Sequence, residues 1–395
     1  MNALGRGRAA GLLVPTLLAA ATLAAFTWIL SLRFTTTEPF QDFRFHNGVA
    51  AEMAAGAPLE LPHPLYHILT AALAAATGFP VPWAGIAVAV LAQAGLGLVA
   101  FVDLRAAAGG RVAVPAVAAL GLTLVAPLFW LTPASREFYF GYLFPNAFHN
   151  PTIILLRPLA LGLFLACALV LAGHEPRPGR SAGLALLTVA CALAKPSYLI
   201  CLLPALGLAW LLDGLPRDRR WSALLLGVLV PGALVAAAQA WFTLTTDRME
   251  PTTIAFAPLE VVFLHTRRDV PLLAAKLALS IVFPLVVAAS FAREAARDAA
   301  LRVAWLAFLA GAFYAYGLAE TGPRMIHGNF LWSGQAATAV LFAASARFAL
   351  GRIRAAGGGG HGARLRLAAC AGAFALHVAS GLGYAVRFAR TGQGF

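Results

Sequence analysis

The residues best suited to chemistry in this chain are concentrated in one polar segment, Glu38 to Tyr66, which reads EPFQDFRFHNGVAAEMAAGAPLELPHPLY. The segment carries several carboxylates and follows directly after an apolar run, 11–32, that is long enough to span a bilayer. Ionisable side chains at membrane depth cost roughly 2.5 to 3.5 kcal/mol each on insertion scales. The few that a very apolar chain retains are therefore where function is to be sought, and this segment has the composition expected of a catalyst at a membrane surface.

The composition of the whole chain indicates a membrane protein. Of its 395 residues, 61% are hydrophobic and 11% are charged, and the mean hydropathy is +0.80. Soluble domains have about a quarter of their residues charged. The net charge is +13, but the arginines are scattered among short loops and form no basic face. Membrane lipid is therefore the expected partner, and nucleic acid is not.

Twelve apolar runs are long enough to form helices. They are 11–32, 64–78, 83–104, 112–131, 152–172, 182–194, 197–212, 222–245, 270–291, 303–318, 331–349 and 367–387. Arginine-rich loops of multi-pass proteins face the cytoplasm. This rule places five loops there together with the amino terminus: 105–111, 173–181, 213–220, 292–302 and 350–366.

The loops alternate between the two sides in this way only if one run between 33 and 105 does not cross the membrane. The candidate is 64–78, the shortest proline-bounded run in that region. The sequence therefore predicts an all-α, polytopic transmembrane bundle with about 11 crossings, forming a single integral-membrane domain over 1–395. The carboxyl terminus is expected on the extracytoplasmic side of the cell membrane. Loop 350–366, rich in glycine and arginine, is predicted to be a flexible cytoplasmic connection.

The external loop 33–82 is predicted to contain the elements that position the polar residues. An amphipathic interfacial helix is expected from about Asp42 to Ala55. Its Phe43, Val49, Ala50 and Met53 are available to lie on the membrane, and its Asp42, Arg44, His46 and Glu52 to face water or a cavity. Run 64–78 is predicted to form a second interfacial or re-entrant helix. Lys195 and Pro196 are expected at a tight external turn between two short helices.

Residues 10–105 resemble the polyprenyl-phosphate-sugar-dependent glycosyltransferases of the GT-C fold. In those enzymes the first transmembrane helix leads into an external loop with an acidic residue near its start, followed by two juxtamembrane helices, the second often opening with proline. This chain offers Asp42-Phe43 at the loop start and His63-Pro64-Leu65-Tyr66 at the second helix. The acidic pair of several such families is absent, because Phe43 follows Asp42. The resemblance implies transfer of a sugar from a lipid-linked phosphosugar donor. In this loop His46, His63 and Tyr66 are the candidate substrate-binding residues.

Such a transfer requires a carboxylate that accepts the proton of the acceptor hydroxyl and cationic groups that stabilise the leaving phosphate. Asp42 is the candidate base. The alternative interpretation is a helix N-cap, for which aspartate is a preferred residue, with Phe40 forming a hydrophobic staple. The two roles are compatible.

Segment 132–152, TPASREFYFGYLFPNAFHNPT, combines six aromatic residues with polar ones. Aromatic rings stack on sugars, but they also populate membrane interfaces. The candidate substrate-binding residues of this region are Arg136, Asn146, His149, Asn150 and Arg157. Arg157 lies inside the next apolar run, where it either extends towards the interface or binds phosphate with its guanidinium.

Two further external sites carry candidate substrate-binding residues. Lys195 is either a point charge for phosphate or an anchor of its turn. Segment 317–334 contributes Glu320, Arg324, His327 and Asn329. The alternative for Glu320 and Arg324 is an ion pair that orders the loop.

No cofactor is predicted. His63 and His67 have the i, i+4 spacing that places two imidazoles on one helix face, which keeps a divalent metal open, but no paired cysteines, HExxH pattern or acidic cluster accompanies them. The four cysteines lie within apolar runs and are expected to be small core residues.

The leading hypothesis from sequence is therefore a cell-envelope glycosyltransferase that uses a polyprenyl-phosphate-linked sugar donor on the extracytoplasmic side and a lipid, glycan or protein acceptor. The alternatives are a transporter or flippase of lipid-linked glycans and a glycan polymerase or ligase that uses external arginine and histidine, such as Arg136, Arg157 and His327.

Overall fold

The structure of this protein, a computed structural model, describes residues 3–31, 42–58, 61–132, 139–174, 180–245, 252–355 and 360–391. Those residues form the all-α helical bundle that the apolar runs predict. The helices are α1 (Ala3–Ser31), α2 (Asp42–Ala54), α3 (Leu65–Thr77), α4 (Val81–Ala107), α5 (Ala113–Leu122), α6 (Pro151–Leu171), α7 (Arg180–Ala194), α8 (Leu199–Leu212), α9 (Arg219–Leu224), α10 (Val230–Thr245), α11 (Glu260–His265), α12 (Val270–Ser280), α13 (Val282–Ser290), α14 (Ala292–Arg297), α15 (Ala299–Gly317), α16 (Leu331–Ala355) and α17 (His361–Thr391).

Short elements of other types complete the described chain. A π-helical turn, Leu225–Leu229, joins α9 to α10 without interruption. Strands β1 (Ile254–Phe256) and β2 (Leu318–Glu320) pair antiparallel, with Ala255 opposite Ala319. Two 3₁₀ helices lie at Phe129–Leu131 and Gly322–His327.

Among the described residues, seven helical segments are long and apolar enough to cross a membrane, or eight if the bent pair α12–α13 counts as one span. Helices α3, α5, α7 and α8 are apolar but shorter. These features are consistent with a multi-pass membrane protein. The count of 11 crossings and the sides of the two termini remain predictions.

The first loop contains the two predicted helices. Helix α2 begins at Asp42, and Gly56 follows its end with φ +90°, a conformation that favours glycine. Helix α3 begins after Pro64 and ends at Gly78, whose N–H donates to the carbonyl of Ala74 at 2.9 Å. Asp42 and Gly56 thus bound α2, and Pro64 and Gly78 bound α3.

The side-chain orientation predicted for α2 requires a correction. Phe43 and Ala50 are buried against the protein, and so is His46, which is 7% exposed. The reason is that α2 packs on α3 and α4, so its inner face contacts helices rather than lipid or water. Arg44 and Glu52 are exposed.

Run 112–131, predicted as one helix, is α-helical only from Ala113 to Leu122. The chain beyond it is irregular, and its carbonyls find side-chain donors: Asn146 Nδ2 donates to Leu122 O and to Val125 O, each at 3.0 Å. His377 of α17 donates from Nδ1 to Ala126 O at 2.7 Å, and Ser380 bonds Pro127 O. Irregular backbone is tolerated within an apolar bundle when its carbonyl groups are hydrogen-bonded in this way.

Run 270–291, also predicted as one crossing, is bent by 67° between α12 and α13. Pro284 has no N–H, so the regular bond to the carbonyl of Ser280 cannot form at the start of α13. Two neighbours use the groups freed at the break: Leu128 N donates to Leu279 O at 3.1 Å, and Phe283 N donates to His377 Nε2 at 3.3 Å. His377 therefore links the irregular segment to the broken span.

Gly381 of α17 packs tightly against the irregular segment, and Gly381→Ala is expected to destabilise the fold. A Cβ at this position would overlap the carbonyl oxygen of Leu124, which is backbone and cannot rotate away. We expect a loss of about 1 to 3 kcal/mol or more in unfolding free energy. Thermal unfolding in detergent measures it. Gly372→Ala in the same helix is the control, because nothing lies within 4 Å of its added Cβ; equal unfolding temperatures for the two variants would contradict the predicted close packing.

Candidate functional site

Asn150 connects the first loop to the bundle. It is the N-cap of α6, where its Oδ1 accepts from Thr152 N at 3.0 Å and from Ile153 N at 3.1 Å. This capping role fixes the amide orientation, so Nδ2 is the group that faces outward. That Nδ2 donates to Asp42 Oδ2 at 2.5 Å. The carboxylate at the start of α2 is thus held by a residue 108 positions later in the chain.

Lys195 occupies the predicted turn between α7 and α8 and is 8% exposed. Its Nζ donates to Thr152 Oγ1 at 3.2 Å and lies 5.3 Å from the centre of the Trp332 ring. Thr152 Oγ1 in turn donates to Asn150 Oδ1 at 2.7 Å. Asp42, Asn150, Thr152 and Lys195 therefore form one connected set of side chains, called here the Asp42–Lys195 network.

The electrostatics of the network follow from its burial. Burial lowers the pKa of Lys195 to about 8, although Asp42 and Glu320 act to raise it. Asp42 itself is only partly buried, while Asn150 is 3% exposed. The network thus has an ammonium inside and a carboxylate at its accessible end.

Aromatic and imidazole rings surround the network. His149 lies 5.3 Å, centre to centre, from the ring of Tyr139 and 5.3 Å from that of Trp332. Burial lowers the pKa of His149 to about 4, so it is neutral at pH 7. Gln335 Nε2 donates to the hydroxyl of Tyr139 at 2.7 Å. The predicted residue His149 therefore lies near the network, between the aromatic rings of Tyr139 and Trp332.

The first-loop residues form a second group beside it. His46 Nδ1 and His67 Nε2 share a hydrogen bond of 2.9 Å, and the hydroxyl of Tyr66 donates to Asn47 Oδ1 at 2.8 Å. Burial lowers the pKa of His46 and of His63, and the charge of Lys195 lowers both further. Lys195 is thus an electrostatic neighbour of this group.

The predicted pairing of His63 and His67 on one helix face is not found. His63 precedes Pro64, the N-cap of α3, and so lies outside the helix. No cluster of three or more His, Cys, Asp or Glu side chains that could hold a metal occurs within the described ranges.

Segment 317–334 forms its own cluster. Arg324 Nη2 donates to Glu320 Oε1 at 3.0 Å, and Asn329 Nδ2 donates to Glu320 Oε2 at 2.5 Å. Glu320 and Arg324 thus form the ion pair that is their alternative role in the sequence prediction, a contact that orders the loop. Arg324 lowers the pKa of His63 and Glu320 acts on Lys195, so the cluster adjoins the network electrostatically. His327 is exposed.

Two predicted residues have mainly structural partners. Both bonds of the Asn146 amide nitrogen go to backbone carbonyls. Arg157 Nη2 bonds Ala147 O, and its Nη1 lies 3.5 Å from Gln93 Oε1. Neither contacts the Asp42–Lys195 network through a hydrogen bond, and Arg136 lies outside the described residues.

Sequence reasoning missed Thr152, Gln93 and Gln335, which are neutral polar residues at or within apolar runs. The sequence does mark the position of Thr152 at the start of a helix, because Asn-Pro-Thr at 150–152 has a preferred N-cap residue followed by proline at the first helical position. No such pattern marks the two glutamines.

Comparison with known proteins adds no identification. No protein-family model matches this chain, and no curated protein matches it either. The functional interpretation therefore depends on the site itself.

The lowered pKa of Lys195 predicts a specific dependence of stability on pH. Between pH 8 and about 10.5, the ordinary value, the unfolded chain holds a proton on this amine that the folded chain has lost. Stability therefore rises with pH across this window, by up to about 3 kcal/mol. Lys195→Met lacks this increment. Unfolding temperatures of the two proteins measured from pH 7 to 10.5 test it, and parallel curves would show that Lys195 titrates normally.

Proposed function

We propose that this protein is an integral-membrane glycosyltransferase that transfers a sugar from a polyprenyl-phosphate donor to a hydroxyl acceptor on the extracytoplasmic side. The observation that carries the proposal is the Asp42–Lys195 network. It joins a partly exposed carboxylate to a buried ammonium through Asn150 and Thr152. These are the two charges that the reaction requires, one for the incoming hydroxyl and one for the departing phosphate.

In the proposed reaction the acceptor oxygen attacks the anomeric carbon, and the bond from that carbon to the phosphate oxygen breaks. The hydroxyl proton passes to the carboxylate of Asp42, and the bonding electron pair leaves with the polyprenyl phosphate. Asn150 holds Asp42 in place through its Nδ2. Lys195 stabilises the negative charge that develops on the leaving phosphate, where a fixed charge in a water-poor site is most effective.

The neighbouring rings support the same assignment. Trp332 and Tyr139 flank His149 beside the network, and aromatic faces of this kind suit the apolar faces of sugar rings. His149, with its pKa near 4, adds no competing positive charge at pH 7. Lys195 is then the principal cation for the donor phosphate.

A transporter or flippase of lipid-linked glycans is the second candidate. The bend of 67° between α12 and α13 favours it, because discontinuous helices form substrate sites in many transporters. Lys276, buried in α12, donates to Phe140 O at 3.0 Å near that break. A polymerase or ligase shares the phosphate chemistry, but His327 is exposed and the Arg157 guanidinium faces neutral acceptors.

The test uses the full chain purified into nanodiscs with a panel of radiolabelled polyprenyl-phosphate sugars and lipid acceptors. We expect acceptor-dependent release of polyprenyl phosphate together with formation of a glycosylated product. A parallel assay in proteoliposomes follows movement of a fluorescent lipid-linked glycan between leaflets. Leaflet exchange without product formation would support the transporter instead.

A further inference from the structure

Arg157 is a buried cation whose described partners are all neutral. It lies in the second turn of α6 and is 3% exposed. Its Nη2 donates to Ala147 O, and its Nη1 lies 3.5 Å from Gln93 Oε1. Its Nε has no hydrogen-bond partner within the described part of the chain.

The charged form of Arg157 is not neutralised by these neighbours. The side chains that act on it electrostatically are the phenols of Tyr139 and Tyr384. Phenols are neutral at pH 7, and burial raises the pKa of Tyr139 well above its ordinary value. A buried guanidinium with no counter-charge among the described residues is costly, because arginine cannot lose its proton to escape the penalty. The environment thus favours a bound anion.

A small cavity lies next to Arg157. Arg157 lines it together with side chains of α4, α5, α6 and α16. The other lining residues are all apolar and include Leu96, Leu122, Ala160, Ala336 and Val340. The cavity has room for about one water-sized particle.

We infer that this cavity binds one small monovalent anion, of which chloride is the abundant example, with Arg157 as its cationic ligand. A monovalent anion makes the site neutral overall. Phosphate requires several donors for its multiple oxygens, and this cavity offers one guanidinium in an apolar lining. A water molecule fills the space but leaves the charge uncompensated. The inference is independent of the proposed sugar transfer.

The experiment measures thermal unfolding of the full chain in nanodiscs while chloride replaces gluconate at constant ionic strength and pH 7. Binding to the folded state alone raises the unfolding temperature by about 2 °C when chloride is roughly ten times its dissociation constant. Chloride NMR line widths measure the same binding directly. We expect Arg157→Gln to abolish both responses. Arg366→Gln, which changes an exposed arginine in the second turn of α17, is the control that retains them.

A second variant covers the case in which Arg157→Gln does not fold. Ala336→Leu keeps the guanidinium but fills the cavity, so the unfolding temperature should no longer respond to chloride. A wild-type protein whose unfolding temperature and chloride line width are both insensitive to chloride overturns the inference. A chloride response that persists in Ala336→Leu or in Arg157→Gln overturns it equally. Neither readout depends on catalysis, so loss of the proposed transfer activity would leave this result unaffected.

Discussion

Asp42→Asn is expected to lower the rate of sugar transfer by about 10²- to 10⁴-fold, the usual contribution of a general base. The substitution removes the negative charge but keeps the shape of the side chain. An asparagine oxygen still accepts the hydrogen bond from Asn150 Nδ2, so the start of α2 should remain in place. Initial rates at saturating donor and acceptor measure the loss, and thermal unfolding reports whether the fold is intact.

Glu52→Gln is the matched control for that variant. Both variants replace a carboxylate of α2 with an amide. Glu52 differs from Asp42 in being exposed. Its transfer rate should equal that of the wild type. If Asp42→Asn also turns over at the wild-type rate, Asp42 is only the first residue of α2 and another group must accept the proton.

Lys195→Met is expected to lower the rate of transfer by about 10²- to 10³-fold, as loss of one preorganised charge at a developing anion does. Methionine retains much of the length and apolar surface of lysine but carries no charge. Below pH 8 the variant should be at least as stable as the wild type, because a buried ammonium is removed. Reduced turnover combined with undiminished stability is the signature of a functional rather than a structural lysine.

Arg268→Gln is the control for a loss of positive charge. Arg268 is exposed, and its guanidinium donates to Glu260 Oε2 at 3.4 Å and to no member of the network in the described structure. Its transfer rate should be unchanged. A Lys195→Met protein that is less stable than the wild type and fully active would instead show that Lys195 anchors the turn between α7 and α8.

The elements that could be predicted are those bounded by polar or special residues. Helix α2 starts at Asp42, a preferred capping residue, and α3 starts after Pro64. Lys195 lies between two apolar runs, at the turn. Signals of this kind are local, so sequence alone is sufficient to find them.

Two apolar runs, 112–131 and 270–291, are predicted as continuous helices, and the structure interrupts both. The bend at Ile281 and the irregular chain after Leu122 depend on donors and acceptors from elsewhere, above all His377 of α17. Hydropathy shows that a segment can enter a membrane, but it does not show whether distant side chains satisfy its backbone.

The charged residues of the candidate site can be predicted from the sequence, but the hydrogen bonds that connect them cannot. Asp42 and Lys195 stood out because ionisable residues are scarce in this chain. The residues that connect them, Asn150 and Thr152, carry out ordinary capping and hydroxyl bonding that no motif distinguishes. The burial of His46 was unpredictable for a related reason, since it depends on how α2 packs against α3 and α4.

The most direct test of the account is a structure determined by electron cryomicroscopy of the full chain in nanodiscs containing a polyprenyl phosphate, the proposed leaving group. We expect phosphate density within hydrogen-bond distance, about 2.7 to 3.2 Å, of Lys195 Nζ, on the side that faces Asp42. Phosphate bound instead at the other end of α16, where Arg352 and Arg366 both contact the ring of Phe291, with none near Lys195, would contradict it.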